Sequence, residues 1–321
     1  MILVTGGSGF IGSHLVETLC SGGERVRCLL RRKNYARLPP QAEAVFGELI
    51  SGAGLEEALY GVDTVIHVAG VTKALTADDY YAGNTRATEN LARAMKGRAI
   101  RRLVHVSSLA AAGPSLDGTP IGEDAAPHPL THYGKSKLAA ERVVRELVPD
   151  AVIVRPPVVY GPRDTDVFRI LKPLTQGIAF QLGGGERWFS AIYVKDLVEG
   201  LMTAARAAEA AGRTYFLANS KPVSWSELGA ATARIIGRKA RILRVPVAVA
   251  YSAGWCAEMV AHLTRKPGII SREKVREAQC SYWTCDTRRA AEEIGFEART
   301  PLDAGLAETL AWYREAGWLK Y

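Results

Sequence analysis

Short apolar runs alternate with longer segments of helical periodicity through the first half of the chain. The runs at 2–5, 25–30, 44–46, 64–68, 103–107 and 151–155 are continuously apolar rather than alternating. That is the pattern of strands whose two faces are both covered by helices. Between them the periodicity predicts helices at about 11–21, 54–60, 85–97 and 134–147. Repeated strand–helix units of this kind imply an α/β fold with a parallel, doubly wound sheet of Rossmann type. Beyond Arg155 the rhythm loosens, and Pro156-Pro157, Gly161-Pro162 and Gly183-Gly184-Gly185 break the chain. Further helices are predicted at 195–208, 225–236, 247–263 and 303–316, the second opened by Ser224 and Glu227 at capping-box spacing. The expected division is a Rossmann domain over 1–160 and a smaller, mostly helical lobe over 161–321, with segments near 189–217 returning to the main sheet.

Composition narrows the class. A chain of 321 residues with 48% hydrophobic and 23% charged residues suits a soluble globular protein with a sizeable core. Five cysteines, an odd number without a Cys-x-x-Cys pair, predict neither a disulfide framework nor a metal site. The first residues read as a strand rather than a basic leader with an apolar segment, so a cytoplasmic location is expected. Net charge is +8, and Arg25, Arg27, Arg31, Arg32, Lys33 and Arg37 cluster without an acid among them. Tyr35 is the one aromatic within that cluster, which argues against nucleic acid.

Gly7, Gly9 and Gly12 match Gly-x-Gly-x-x-Gly, and Gly6, Gly9 and Gly12 match the wider spacing, directly between the first strand and the first helix. Glycine there lets the turn tighten and lets backbone approach a pyrophosphate, while the helix N-terminus aims its N–H groups at the anion. The first domain is therefore expected to bind a nicotinamide dinucleotide. The second strand ends in Arg31 and Arg32 where an acid would accept from a ribose diol. An arginine cannot accept from that hydroxyl but can fork onto a 2′-phosphate, so NADP is favoured over NAD. Exposed arginines with no such role are the alternative.

Tyr133 and Lys137 lie four residues apart on one face of the helix predicted from 134. A free phenol is a poor base at neutral pH, but a nearby cation and an oxidised nicotinamide favour phenolate. Tyr133 would then exchange the proton of a carbinol while hydride moves to or from the cofactor. Ser107 and Ser108 supply hydroxyls at the C-terminal end of the fifth strand, the sheet edge where ligands bind.

Together these motifs resemble the extended branch of the short-chain dehydrogenase/reductase family, over nearly the whole chain. The resemblance runs through Thr5 to Gly12, Val65 to Gly70, Asn84 to Thr88, Val106-Ser107-Ser108 with Gly113, Tyr133 with Lys137, Arg155 to Pro162, and Val194 to Leu197. It implies catalytic roles for Ser108, Tyr133 and Lys137, with Lys137 on the nicotinamide ribose, and a structural Asn84. It implies cofactor contacts from Gly6, Gly9, Phe10, Ile11, Gly12, Arg31, Arg32, Glu48, Leu49, Val68, Ala69, Gly70, Ser107, Tyr133, Lys137, Pro156 and Val158. His67 is expected to be structural. A homodimer through the helices at 85–97 and 134–147 is implied by the resemblance alone.

The family spans nucleotide-sugar epimerases and dehydratases as well as reductases of steroid-like ketones. Val158 and Phe189 stand where sugar-nucleotide enzymes often carry Asn and Arg, although Arg163 and Arg187 offer substitute cations. The segment 245–263 is strongly apolar and resembles the corresponding region of 3β-hydroxysteroid dehydrogenase-like members. Pro246, Glu258 and His262 argue against a membrane span. A buried helix of the small lobe is the first reading, and a peripheral membrane helix beside a lipophilic substrate is the second. The expected activity is interconversion of a secondary alcohol and a ketone on a hydrophobic or steroid-like small molecule. The alternatives are a nucleotide-sugar epimerase/dehydratase with transient hydride transfer and a non-catalytic nucleotide-binding regulatory protein. The arginine reading carries a direct check: Arg31→Ala should weaken NADPH roughly tenfold, about one charge-assisted contact, and leave NADH unchanged in fluorescence titrations. An unchanged NADPH dissociation constant would remove Arg31 from the site.

Overall fold

The computed structural model describes residues 1–31, 38–238, 240–268 and 271–319. The first half runs β1 (Ile2–Thr5), α1 (Phe10–Ser21), β2 (Val26–Leu30), β3 (Glu43–Phe46), α2 (Leu55–Leu59), β4 (Thr64–His67) and α3 (Ala77–Tyr80). A π-helical turn (Tyr81–Arg86) leads into α4 (Ala87–Met95), then β5 (Arg102–Val106), α5 (Leu109–Ala112), α6 (His132–Leu147) and β6 (Val152–Val154). Every strand and helix expected in this half forms, with ends shifted by a few residues. The exception in kind is the start of the helix expected at 85, which begins earlier in the π-helical turn that carries Asn84.

The second half holds β7 (Val158–Tyr160), α7 (Asp166–Thr175), β8 (Ile178–Leu182), β9 (Trp188–Phe189), β10 (Ala191–Tyr193), α8 (Val194–Arg206) and β11 (Thr214–Tyr215). It continues with β12 (Val223–Ser224), α9 (Trp225–Ile236), β13 (Arg241–Val245), α10 (Val247–Thr264), α11 (Arg272–Gln279), β14 (Tyr282–Trp283), α12 (Arg288–Ile294) and α13 (Leu302–Glu315). Ser224 and Glu227 close the expected capping box on α9. Helix α7 escapes the sequence pattern because Pro173 sits in its last turn, and α11 because it buries only Val275.

The central sheet has seven parallel strands in the order β11-β6-β5-β4-β1-β2-β3. The chain reverses direction of winding between β1 and β4, which opens a crevice at their carboxyl ends. One face buries Val4, Cys28, Ile66, Val104 and Val152 under α1 and α8, and the other buries Leu3, Leu29, Val65, Leu103 and Ile153 under α2, α4 and α6. Successive strand residues thus enter opposite cores, which is why the runs are apolar throughout. A third core, around Leu171, Leu228, Leu306 and Tyr313, joins α7, α9 and α13.

Two results depart from the sequence reading. Helix α10 is not a buried helix: Gly254 and Ala261 are its buried residues, while Val249, Trp255, Met259, Val260 and Leu263 are exposed. And α6 carries a carboxylate, Glu141, with no exposed surface. Glu141 accepts from Arg155 Nε and Nη2 at 2.9 and 2.6 Å and from Ser107 Oγ at 2.5 Å, binding α6 to the ends of β5 and β6. Removing one charge of such a pair strands the other in low dielectric. Glu141→Gln should therefore cost about 3–5 kcal/mol in urea unfolding. A loss below about 1 kcal/mol would show that Arg155 has another counter-charge.

Candidate active site

The glycine loop closes on itself at van der Waals limits. Gly6 has φ +74°, and a Cβ there would fall 2.7 Å from the Ala69 amide; one at Gly12 would fall 2.1 Å from the Gly6 carbonyl. A side chain at either position would push the loop and α1 off the ends of β1 and β4. Gly9 is the N-cap of α1 without a side-chain cap, and the first turn has no acidic residue, an arrangement suited to an anion at this helix end. A cavity of about 430 Å³ adjoins this loop. It is lined by Gly6, Gly9, Phe10, Ile11, Gly12, Arg31, Glu48, Leu49, Val68, Ala69 and Gly70, eleven of the residues expected to meet a cofactor. Arg32 lies outside the described residues.

Lys73, Asp164 and Asp166, which the sequence did not single out, also line this cavity. Lys73, after β4, is ion-paired with Asp166 at the start of α7. Burial raises Asp164 to about 6, against the amides of Asp166 and Val167 that donate to it. Glu48 Oε1 accepts from the Ile50 amide at 3.3 Å, so its carboxylate also shapes its own turn.

Beside the loop, Asn84 Oδ1 accepts from the Val71 amide at 2.7 Å and Nδ2 donates to Val71 O and Ser136 Oγ at 3.0 and 2.9 Å. This ties the β4 loop to α6. His67 bonds Thr5 Oγ1 through Nδ1 at 2.6 Å and Thr88 Oγ1 through Nε2 at 2.9 Å. Burial, aided by the Lys137 charge, lowers it to about 3, so it stays neutral and structural.

Thr131 caps α6 by accepting from the Gly134 amide, which sets Tyr133 in the first turn and Lys137 one turn on. Lys137 is buried, donates to Val106 O at 2.7 Å, and lies 3.7 Å from where a Gly70 Cβ would be. It therefore sits where the end of the cavity meets α6, with two further N–H donors available. Burial lowers its pKa to about 8, opposed by Glu141 one turn on. Ser108 caps α5 through the Ala110 amide at 3.1 Å, and its hydroxyl acts to lower the pKa of Tyr133. Ser107 instead gives its hydroxyl to Glu141 and is nearly fully buried. Pro156 accepts from the Leu109 amide at 2.9 Å, and Val158 stands exposed on β7.

Tyr133 is enclosed by groups from two helices. Burial pushes the phenol above its usual value, and the opposing influences are Ser108 and the charge of Lys274. Lys274 Nζ lies 6.0 Å from the Tyr133 ring centroid, and Tyr80 packs on the same ring at 6.3 Å. A cation from α11, which the sequence did not single out, thus lies over the Tyr133 ring. Burial opposes charge on Lys274, but Glu277, at 2.6 Å, holds its pKa above the ordinary value. Glu277 also accepts from Thr131 Oγ1 at 3.1 Å and Glu273 from the His132 amide at 3.1 Å. Two acids of α11 thereby cap the positive end of α6.

Helix α11 leads to a second cavity of about 440 Å³. Its walls include Phe180, Leu182, Trp188, Phe189, Trp225, Val245 and Trp283, together with Glu277 and the same Lys274 that lies over the Tyr133 ring. These aromatics were scattered in sequence and carried no common signal. Arg187 borders this cavity with Nε donating to Ala278 O at 2.7 Å, whereas Arg163 is ion-paired to Glu17 at 2.8 Å.

Residues 2–218 match the NAD dependent epimerase/dehydratase family. The chain is 30% identical to the ceramide reductase of Caulobacter vibrioides, over 99% of this chain and 96% of that one. It is 26% identical to the N-acetyl-alpha-D-glucosaminyl-diphospho-ditrans,octacis-undecaprenol 4-epimerase of Escherichia coli O157:H7, over 97% and 94%. The solved structure of MoeE5 in complex with UDP-glucose and NAD superposes with a TM-score of 0.80 at 28% identity, covering 98% of this chain and 99% of that one. The chain therefore belongs to the NAD-dependent epimerase/dehydratase family, as an oxidoreductase of the extended short-chain dehydrogenase/reductase type.

Proposed function

We propose that the protein interconverts a secondary alcohol and a ketone on a lipophilic substrate, using NADP(H) in preference to NAD(H). The observation that carries this reading is the apolar, aromatic-walled cavity that shares Lys274 and Glu277 with the surroundings of Tyr133. A hydrocarbon chain bound there loses water from both surfaces, while its functional group lies toward the phenol. Ceramide reductase and the undecaprenol-linked epimerase are both named for substrates with long hydrocarbon chains. Arg31, exposed at the rim of the nucleotide cavity, supports the phosphate-bearing cofactor.

The glycine loop and the cavity beside it suit a dinucleotide, with Gly6, Gly9 and Gly12 on the pyrophosphate and Lys137 toward the nicotinamide ribose. When bound, the nicotinamide supplies or accepts the hydride. Tyr133 Oη gives its proton to the forming alkoxide in reduction and takes it back in oxidation, while Ser108 Oγ holds the same substrate oxygen. Lys274 stabilises the phenolate by its charge, and Glu141 keeps α6 in register beneath the site. The substrate lobe in this reading is the part of the chain after 160. Dimerisation through α4 and α6 belongs to it too, with sedimentation equilibrium as its measurement.

Nucleotide-sugar epimerisation is the second reading, favoured by the likeness to MoeE5 with UDP-glucose. Val158 and Phe189 offer a diphosphate no polar partner, and Glu17 already holds Arg163.

Purified protein should consume NADPH with long-chain or polycyclic ketones, followed at the nicotinamide absorbance band. Turnover of UDP-sugars alone, without net redox, would establish the second reading instead. On an identified substrate, Tyr133→Phe should lower kcat by about 10²–10⁴ with little change in KM. Full activity in that variant would refute the role of the phenol. Lys274→Met removes a cation that favours phenolate, so the Tyr133 pKa rises. The pH limb on which alcohol oxidation switches on should then move to higher pH, chiefly in kcat. An unmoved limb would show that Lys274 does not act on the phenol.

A further inference from the structure

Helix α10 carries its large apolar side chains outward and its small ones inward. Gly254 and Ala261 bury against the lobe, and a Cβ at Gly254 would meet the Arg272 amide at 3.0 Å. Val249 (56% exposed), Trp255 (51%), Met259 (48%), Val260 (57%) and Leu263 (81%) face solvent. Lys and Arg are absent between 247 and 264, and the lone acid, Glu258, is engaged with the Arg272 amide and guanidinium at 2.8 and 2.7 Å. A helix bordering water ordinarily places its charges on that side, so this one is inverted. The strand that leads into the helix, β13, also carries exposed apolar side chains, Ile242 and Leu243, one on each of its faces. An exposed apolar surface of this extent marks a contact site.

Cations bracket it. Arg241 and Arg244 precede the helix and Arg265 and Lys266 follow it, all four exposed. We infer that α10 and β13 rest on an anionic lipid bilayer, with the apolar face at the headgroup–acyl boundary and the four cations among the phosphates. Charge complementarity selects this occupant: an uncharged apolar face, flanked at both ends by cations and carrying an exposed tryptophan, has the form of an interfacial helix. Among the described residues no helix is long and apolar enough to cross a membrane, which leaves the helix lying in the surface plane.

The apolar cavity beside Tyr133 shares Val245 and Ala250 with this element. A hydrocarbon chain leaving the bilayer can therefore enter the cavity alongside α10 without first crossing bulk water. That entry route rests on the proposed lipophilic substrate; the docking does not, because it is measured without turnover.

The test is co-sedimentation of the full chain with vesicles of equal parts phosphatidylcholine and phosphatidylglycerol. The protein should bind, and binding should fall on pure phosphatidylcholine and at high salt. Trp255→Ser with Leu263→Ser, both at exposed positions, should weaken binding at least about tenfold while the circular dichroism melt is unchanged. Arg241→Gln with Arg244→Gln should weaken binding to the anionic vesicles and reduce its salt dependence. Absence of binding by the parent protein, or binding undiminished in the Trp255/Leu263 variant, would overturn the proposal. So would self-association that the same double substitution abolishes in the absence of any vesicle binding, which would assign the face to a second copy of the chain.

Discussion

Glu141 occupies a point where three elements of the site meet and no water reaches. Its two oxygens take the Arg155 fork and the Ser107 hydroxyl, so the ends of β5 and β6 and the middle of α6 are held by one carboxylate. A buried charge of this kind contributes little net stability, because desolvation cancels most of the Coulomb gain. Its value is geometric. Tyr133, Lys137 and Glu141 are spaced one turn apart, so anchoring the third fixes the rotation of the helix that presents the first two. The same carboxylate supports the charge on Lys137 against burial. The serine beside the site is thereby divided in function from its neighbour: Ser107 belongs to the anchor, and Ser108 is left for the phenol.

The second half of the chain reaches this arrangement through α11. Glu273 and Glu277 take the free donors at the N-terminus of α6, and Lys274 between them places its charge over the Tyr133 ring. The same helix also forms one wall of the apolar cavity, and α10 packs against its start at Gly254. Tyr133, cavity and exposed apolar face are consequently arranged around α11. A displacement of α11 would alter all three together.

Much of the first half was legible because its constraints are local. A strand covered on both faces must be apolar at every position, and a glycine loop that approaches β4 within contact distance tolerates no side chain at Gly6 or Gly12. Tyr133 and Lys137 were legible for the same reason, since helical spacing alone puts them on one face. Glu141 was not, although it continues that spacing: an acid on a helix is ordinarily solvated, and only the arrival of Arg155 from a neighbouring strand makes burial tolerable. The apolar run after Pro246 suggested burial, yet burial requires a partner surface, and the fold supplies one only to Gly254 and Ala261.

The sequence by itself determined the parallel sheet, the glycine loop between β1 and α1 and the placing of Tyr133 and Lys137 on one helix face, because each depends on spacing within one strand–helix unit. The tertiary structure alone decided which cation lies over the Tyr133 ring, which serine Glu141 engages, and which aromatics line one cavity. Lys274, Ser107 and Trp188 take their roles from groups distant in the chain, and contact between distant segments leaves no periodic trace in a single sequence.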